Sequence, residues 1–328
     1  MKVLFDHPSP FVFTHGGFQT QIEQTKRGLE SCGVEVDWLR WWDDTQRGDI
    51  VHYFGRPSPW YVLAAQRVGM KVVVAELLTG LGSRGPFARK MQKALIALLR
   101  RSYFFDRMGW NAFQLADASI ALTPWEATLM RDIFNAPDDR LHVLPNGVEE
   151  EFFRPDPVQR GEFLICTATI TERKRVLEAA RAAVAARTPL WIIGKPYSES
   201  DPYARAFMTF ARQHTDLIRY EGPILDRASL AHAYRQARGF ILLSAMESLS
   251  LSALEAAATG CPLLLADLPW ANTTFGNSAR YCRPGEETES LRRFYQEAPQ
   301  LPPVMKPKSW AEVGEQLRSV YERLLQRP

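Results

Sequence analysis

Short apolar runs of four to eight residues punctuate this chain from end to end, and stretches with helical spacing separate them. The first series reads KVLF (2–5), VEVDWL (34–39), DIVHYF (49–54), KVVVAE (71–76), ASIAL (118–122) and LHVLP (141–145). The second reads FLICTATI (163–170), LWIIG (190–194), LIRYEG (217–222), GFILLSA (239–245), PLLLA (262–266) and ARYCR (279–283). Runs this short and continuously apolar suit strands covered on both faces, and their alternation with helices implies parallel sheets. Between the two series lies PNGVEEEFFRPDPVQRG (145–161), a stretch of turn residues and charge that reads as a linker.

The pattern therefore predicts an α/β chain of two doubly wound, Rossmann-like domains facing each other, 1–155 and 156–308, followed by an amphipathic helix in 309–328. A length of 328 residues suits two such domains. Ligands of such sheets bind beyond the carboxyl ends of the strands, so the expected site is a cleft between two such edges. A net charge of +3 gives no reason to expect a nucleic-acid partner. No apolar run approaches the roughly 18 residues of a membrane span, and MKVLFDHPSP does not read as a signal peptide. Four scattered cysteines and six dispersed histidines suggest reduced thiols in a cytoplasmic protein and no metal site.

One stretch departs from ordinary structural sequence. In ILLSAMESLSLSALEAAATGCPLLLAD (241–267) an apolar run ends at Glu247, serines follow at 248, 250 and 252, and Glu255 falls inside a short helix that Gly260 and Pro262 end. A turn between a strand's carboxyl end and a helix amino terminus favours an anion such as a phosphate. Glu255 is placed to accept hydrogen bonds from a vicinal diol. The same spacing also fits a serine cap with solvated acids.

The element ESLSLSALEAAATGCPL resembles the donor-binding element EGFGLPLLEAMACGCPV of retaining GT-B glycosyltransferases, particularly glycosyltransferase family 4. LHVLPNGVEEEFF, HGGFQTQIEQTKRGLESCGVEV, ADASIALTPWEATLMRDIF, YEGPILDRASLAHAYRQARGFILLS and the closing SWAEVGEQLRSVYERLL are similar to further family elements, in the family's order. The resemblance implies a GT-B fold whose closing helix packs back on the first domain. It assigns Glu255 to the nucleotide ribose, Glu247 to the transferred sugar, and the backbone of Ser248, Leu249, Ser250 and Leu251 to the diphosphate. Base contacts fall around Gly194 and Ile224. The family's G-R-x4-K cation motif aligns with TATITERKRV, where Lys174 matches the lysine, Thr169 replaces the arginine, and Arg173 or Arg175 supplies the second cation. Three adjacent basic residues also fit a solvated face.

In the first domain, THGGF aligns with the family's glycine turn, so Gly16 and Gly17 lie near the diphosphate and His15 near the acceptor. Glu76 stands where the family usually has a histidine and is a second acceptor-side candidate. The basic amphipathic segment 83–107, with Met91, Leu95, Leu98 and Leu99 on one face and Lys90, Lys93 and Arg101 on another, fits either an anionic membrane or a helix covering a sheet. The implied function is retaining, metal-independent hexosyl transfer from a UDP- or GDP-sugar to a carbohydrate or lipid-linked acceptor, with no cofactor. A nucleotide-sugar-binding scaffold subunit and a GT-B epimerase are the alternatives.

Overall fold

The computed structural model describes residues 1–11, 16–99, 102 and 108–326. In it each of the twelve apolar runs forms a strand: β1 (Lys2–Asp6), β2 (Glu35–Trp38), β3 (Ile50–Phe54), β4 (Lys71–Ala75), β5 (Ala118–Ala121), β6 (Leu141–Val143), β7 (Leu164–Thr167), β8 (Leu190–Ile193), β9 (Ile218–Tyr220), β10 (Gly239–Leu242), β11 (Leu263–Ala266) and β12 (Arg280–Cys282). They make two six-stranded sheets, ordered β2-β1-β3-β4-β5-β6 and β12-β11-β10-β7-β8-β9, with every pairing parallel. Most strand residues are buried, which is the reason the runs carry little polar alternation.

The chain divides into two units, Met1–Gly147 with Lys308–Pro328, and Val148–Pro307. The sequence places the first boundary at 155, eight residues later. Residues 148–155 belong to the second unit because Phe152 is fully buried there, 6.0 Å from the ring of Tyr234 and beneath the guanidinium of Arg227.

The closing helix, Trp310–Gln326, belongs to the first unit and packs on helix Gly17–Ser31. It starts with a reciprocal cap: Glu312 N–H donates to Ser309 Oγ (3.2 Å), and Ser309 N–H donates to Glu312 Oε2 (2.7 Å). The two helices touch through glycine. A Cβ on Gly28 would stand 2.4 Å from the Trp310 carbonyl oxygen, and one on Gly314 would stand 2.3 Å from that of Gly28. Further along, the buried Tyr321 hydroxyl shares a 2.6 Å hydrogen bond with His52 Nδ1 on β3. Burial pushes the His52 imidazole down to about 3, so the ring is neutral.

Helix Pro86–Leu99 lies on helix Pro124–Phe134 through a narrow face. Ile96 is the one buried residue on it. No helix among the described residues is long and apolar enough to cross a membrane.

Candidate active site

Strand order decides where a ligand sits in each sheet. In the second unit the chain begins at β7, builds outward to β8 and β9, then returns to β7's other side with β10. The direction of winding reverses between β7 and β10, and the loops leaving their carboxyl ends form the crevice of such a fold. Those loops are 168–175 and 243–250, the segments that carry TERKR and the serine turn.

The two loops run side by side. Ala245 N–H donates to the Arg173 carbonyl (2.8 Å), and Arg173 Nη1 returns a bond to the Met246 carbonyl (3.1 Å). This brings Lys174 into an ion pair with Glu247, whose other carboxylate oxygen lies 3.5 Å from Arg173. Glu247 is 8% exposed and Lys174's side chain 14%. The basic residues do not open a regular helix. Glu172–Lys174 is a 3-10 turn, Arg175 follows with φ 53°, and helix Val176–Ala186 starts after it. Arg175 turns away and pairs with Glu287 at 2.7 Å, so it is not the second cation beside Lys174. Thr169 lies in the loop between β7 and this turn.

The serine turn leads into helix Leu251–Ala258. Ser250 is its N-cap and accepts from Ala253 N–H at 3.3 Å, so the capping role read as an alternative is real for this serine. Ser248 and Leu249 are buried, while Leu251 and Ser252 are partly exposed. The first turn of a helix leaves N–H groups without intrahelical partners, an arrangement that favours an anion.

Glu255 sits one turn inside that helix and is buried. Arg227, on helix Arg227–Gln236, reaches both Glu255 and Glu149. Tyr234 on the same helix donates to Glu255 Oε2 at 3.2 Å and shares a hydrogen bond with Thr167 at the end of β7. The Arg227 guanidinium also lies 4.7 Å from the centre of the Phe152 ring. Burial raises the Glu255 carboxyl above the ordinary glutamate range, with Arg227 and Tyr234 acting against it. Burial also opposes the charge on Arg227, but Glu255 and then Glu149 outweigh it, so the guanidinium stays protonated. Sequence reading missed Arg227. Its signal was the N-cap Asp226, which accepts from Ser229 N–H at 2.8 Å and so places the next residue at the helix start.

Gly194, directly after β8, has φ +150°, and a Cβ there would lie 1.9 Å from the Ala168 carbonyl oxygen. No other residue fits. Ile224 faces a hollow of about 520 Å³ shared with Trp191, Arg154, His232 and Arg235, whose lining does not include the serine turn.

In the first unit the winding reverses between β1 and β3. Gly16 (φ 139°) is the N-cap of helix Gly17–Ser31, and Gly17 is its first residue. His15 lies outside the described residues. Glu76, just past β4, pairs two-pronged with Arg56, just past β3, at 2.7 and 2.8 Å. Arg56 in turn stacks 4.8 Å from the Phe134 ring. Burial raises the Glu76 carboxyl, against the pull of Arg56. Asp6, buried at the end of β1, accepts from the Tyr61 hydroxyl (2.7 Å), His7 N–H (2.8 Å) and Trp41 Nε1 (3.3 Å). Neither Asp6 nor Arg56 stood out in the sequence, because their partners are non-local. Among the described residues no cluster of histidine, cysteine or acidic groups is arranged to hold a metal ion.

Two sheets of Rossmann type, each with candidate residues at its winding reversal, define the GT-B architecture. Comparison with known proteins agrees. Residues 37–147 match the family described as Glycosyl transferase 4-like domain, and residues 162–293 match Glycosyl transferases group 1. A D-inositol 3-phosphate glycosyltransferase of Frankia alni is 32% identical over 168 residues, covering 45% of this chain and 41% of the relative. Among solved structures, AviGT4, a glycosyltransferase involved in avilamycin A biosynthesis, superimposes with a TM-score of 0.66 at 16% identity, over 100% of this chain and 98% of that one. Anabaena HepE, crystallised with UDP and glucose, gives 0.66 at 11% identity over 98% and 99%. The chain belongs to the GT-B glycosyltransferases of the family 4 type. It matches about two fifths of the length of the curated relative.

Proposed function

We propose that this chain transfers a hexosyl group from a nucleotide sugar to an acceptor hydroxyl with retention at the anomeric carbon. The observation that carries the reading is the burial of Glu247 before the serine turn and of Glu255 in the helix after it, each ion-paired, at the winding reversal of the second sheet. Glu255 receives the ribose hydroxyls, and the amides at 248–251 receive the diphosphate. Gly194 lets the base approach the backbone, with Ile224 at its edge. The bound UDP of HepE supports a uridine donor.

In the reaction the acceptor oxygen attacks the anomeric carbon from the face of the departing phosphate. The anomeric carbon–oxygen bond breaks, the hydroxyl proton passes to the leaving phosphate oxygen, and a glycoside and nucleoside diphosphate result. Negative charge grows on the diphosphate, where Lys174 and then Arg173 stabilise it. Glu247 orients the sugar and steadies its positive character. Gly16 and Gly17 serve the donor diphosphate, and His15 and Glu76 belong to the acceptor side. No protein-bound metal or cofactor takes part.

A thermal-shift screen with UDP, GDP, ADP and their sugar conjugates tests the binding half, and product formation with the selected donor over an acceptor panel tests the chemistry. Donor binding with neither hydrolysis nor transfer supports a nucleotide-sugar-binding scaffold instead.

A further inference from the structure

Three tryptophans near the carboxyl ends of strands in the first sheet stand in the open. Trp41 and Trp42, in the loop from β2 to β3, are 72% and 83% exposed, and Trp60, in the first turn of helix Pro59–Arg67 after β3, is 73% exposed. A single exposed apolar side chain needs no explanation, but Trp41 is exposed and fixed at once. Its indole N–H donates to Asp6 Oδ1 (3.3 Å), and its ring centre lies 6.2 Å from that of Tyr61, whose hydroxyl donates to Asp6 Oδ2 (2.7 Å). Tyr61 in turn meets the buried Tyr53 of β3 edge-on at 5.1 Å. Burial, and then the bond to Asp6, push the Tyr61 hydroxyl far up, so it stays a donor.

The loop that carries Trp41 is tied down as well. Leu39 N–H donates to the Phe5 carbonyl of β1 (2.9 Å), Arg40 N–H to Gln46 Oε1 (2.8 Å), and Gln46 Nε2 to the Trp38 carbonyl (2.9 Å). The Arg40 guanidinium is taken up by Asp37 and Asp43, at 3.0 and 2.9 Å. An aromatic face held rigid before a ligand arrives loses little freedom on binding. Asp6 and Tyr61 also follow the two strands, β1 and β3, between which the winding reverses, the place where such a sheet receives a ligand.

The chemistry of the face selects its occupant. An indole face is electron-rich and attracts the slightly positive C–H groups on the face of a pyranose ring. Residues 41–46, WWDDTQ, hold two acids and no base, and residues 57–66 carry no charge. An anionic lipid or a phosphate meets acids here, whereas a neutral sugar finds apolar faces with hydroxyl acceptors beside them. We propose that a pyranose ring of the acceptor stacks on Trp41, and that Asp6 and Tyr61 are the residues that position the indole. Trp42 and Trp60, next in sequence to Trp41 and Tyr61, offer faces to neighbouring sugar units. The acceptor is then a saccharide or glycoside, an assignment that rests on the transferase reading above.

The test places the full chain on an array of neutral mono- and oligosaccharide glycosides, with the nucleotide thermal-shift screen run in parallel. At least one glycoside should bind, and titration of it should be read by tryptophan fluorescence. Trp41→Ala should weaken that binding roughly tenfold or more, while Trp41→Phe keeps most of it. Tyr61→Phe keeps the ring but frees Asp6 from its hydroxyl, and should weaken binding a few-fold with unchanged thermal melting. Trp42→Ala/Trp60→Ala, at two open positions, should weaken oligosaccharides more than monosaccharides. An array without a binder, or equal glycoside affinity in wild type and Trp41→Ala, overturns the proposal whatever the nucleotides do. So does Trp41-dependent pelleting with phosphatidylcholine vesicles, or a Trp41-dependent dimer in sedimentation velocity, because lipid or a second copy then covers the face. Glycoside binding that Trp41→Ala loses supports the platform even where no nucleotide shifts the melting, and that result counts against the transferase reading alone.

Discussion

Arg227 closes on the buried carboxylate of Glu255 from the neighbouring helix, and the same guanidinium holds Glu149. The acid assigned to the ribose is thus held by a positioning residue that sequence spacing did not flag. Arg227→Met strands a buried carboxylate with Tyr234 as its remaining donor in the pair network. The expected loss is about 2–3 kcal/mol, below the figure for a fully buried pair because the guanidinium is one-third open to solvent. Chemical denaturation of the second unit measures it, and Arg227→Lys should recover part. A variant as stable as wild type would refute the role.

Glu255→Gln keeps the shape of the side chain but removes the charge. Losing a charge-assisted hydrogen bond costs about 1.5–3 kcal/mol, so nucleotide affinity should fall roughly tenfold or more by calorimetry. Because burial raises this carboxyl, wild-type affinity should begin to fall on acidification at a higher pH than for an ordinary glutamate. The sign follows from protonation, which removes acceptor capacity needed by the ribose. Glu255→Gln should flatten that limb of the profile, and an identical profile would count against the assignment.

Lys174 and Glu247 form one ion pair but should fail differently. Lys174→Ala should weaken binding of the nucleoside diphosphate and leave that of the free nucleoside unchanged. Glu247→Ala should lower kcat roughly a hundredfold with little change in donor KM, as expected when an interaction strengthens toward the transition state. Equal effects of both variants on nucleoside and diphosphate binding would show that the pair is only structural.

His52 predicts how the first unit responds to acid. Its folded-state value lies near 3 against 6.5 for the free side chain, so the unfolded chain binds a proton that the folded one excludes. The stabilisation is complete above pH 6.5 and is lost as pH falls toward 3. From 6.5 to about pH 5 the loss amounts to about 2 kcal/mol. His52→Gln should lower stability at neutral pH and remove most of this slope in denaturation curves taken across that range.

Every strand was legible because runs buried on both faces must be apolar throughout, and turn residues mark their ends. The strand ends were read too long at FLICTATI and GFILLSA, whose last residues leave the sheet to build the loops of Lys174 and Glu247. The two glutamates stood out because acids between buried strands need a reason. Of their partners Lys174 and Arg173 stood out too, but Arg227 did not, since it reaches Glu255 only through tertiary folding. The pairs Arg56–Glu76 and Arg175–Glu287 escaped the sequence for the same reason. Nor could periodicity say which side of Pro86–Leu99 faces inward. A wheel gives a stripe, and only packing tells whether protein covers it.

The contact of Gly28 with Trp310 and Gly314 has a temporal side. Residues 148–307 are translated between the two helices that meet there, and they complete a sheet of their own. The second unit therefore has all its strands before the first has its last helix. Until that helix leaves the ribosome, Ile22 and Leu29 lack the cover of Leu317 and Tyr321. The first unit, begun before the second, can thus close its core only after the second has been made.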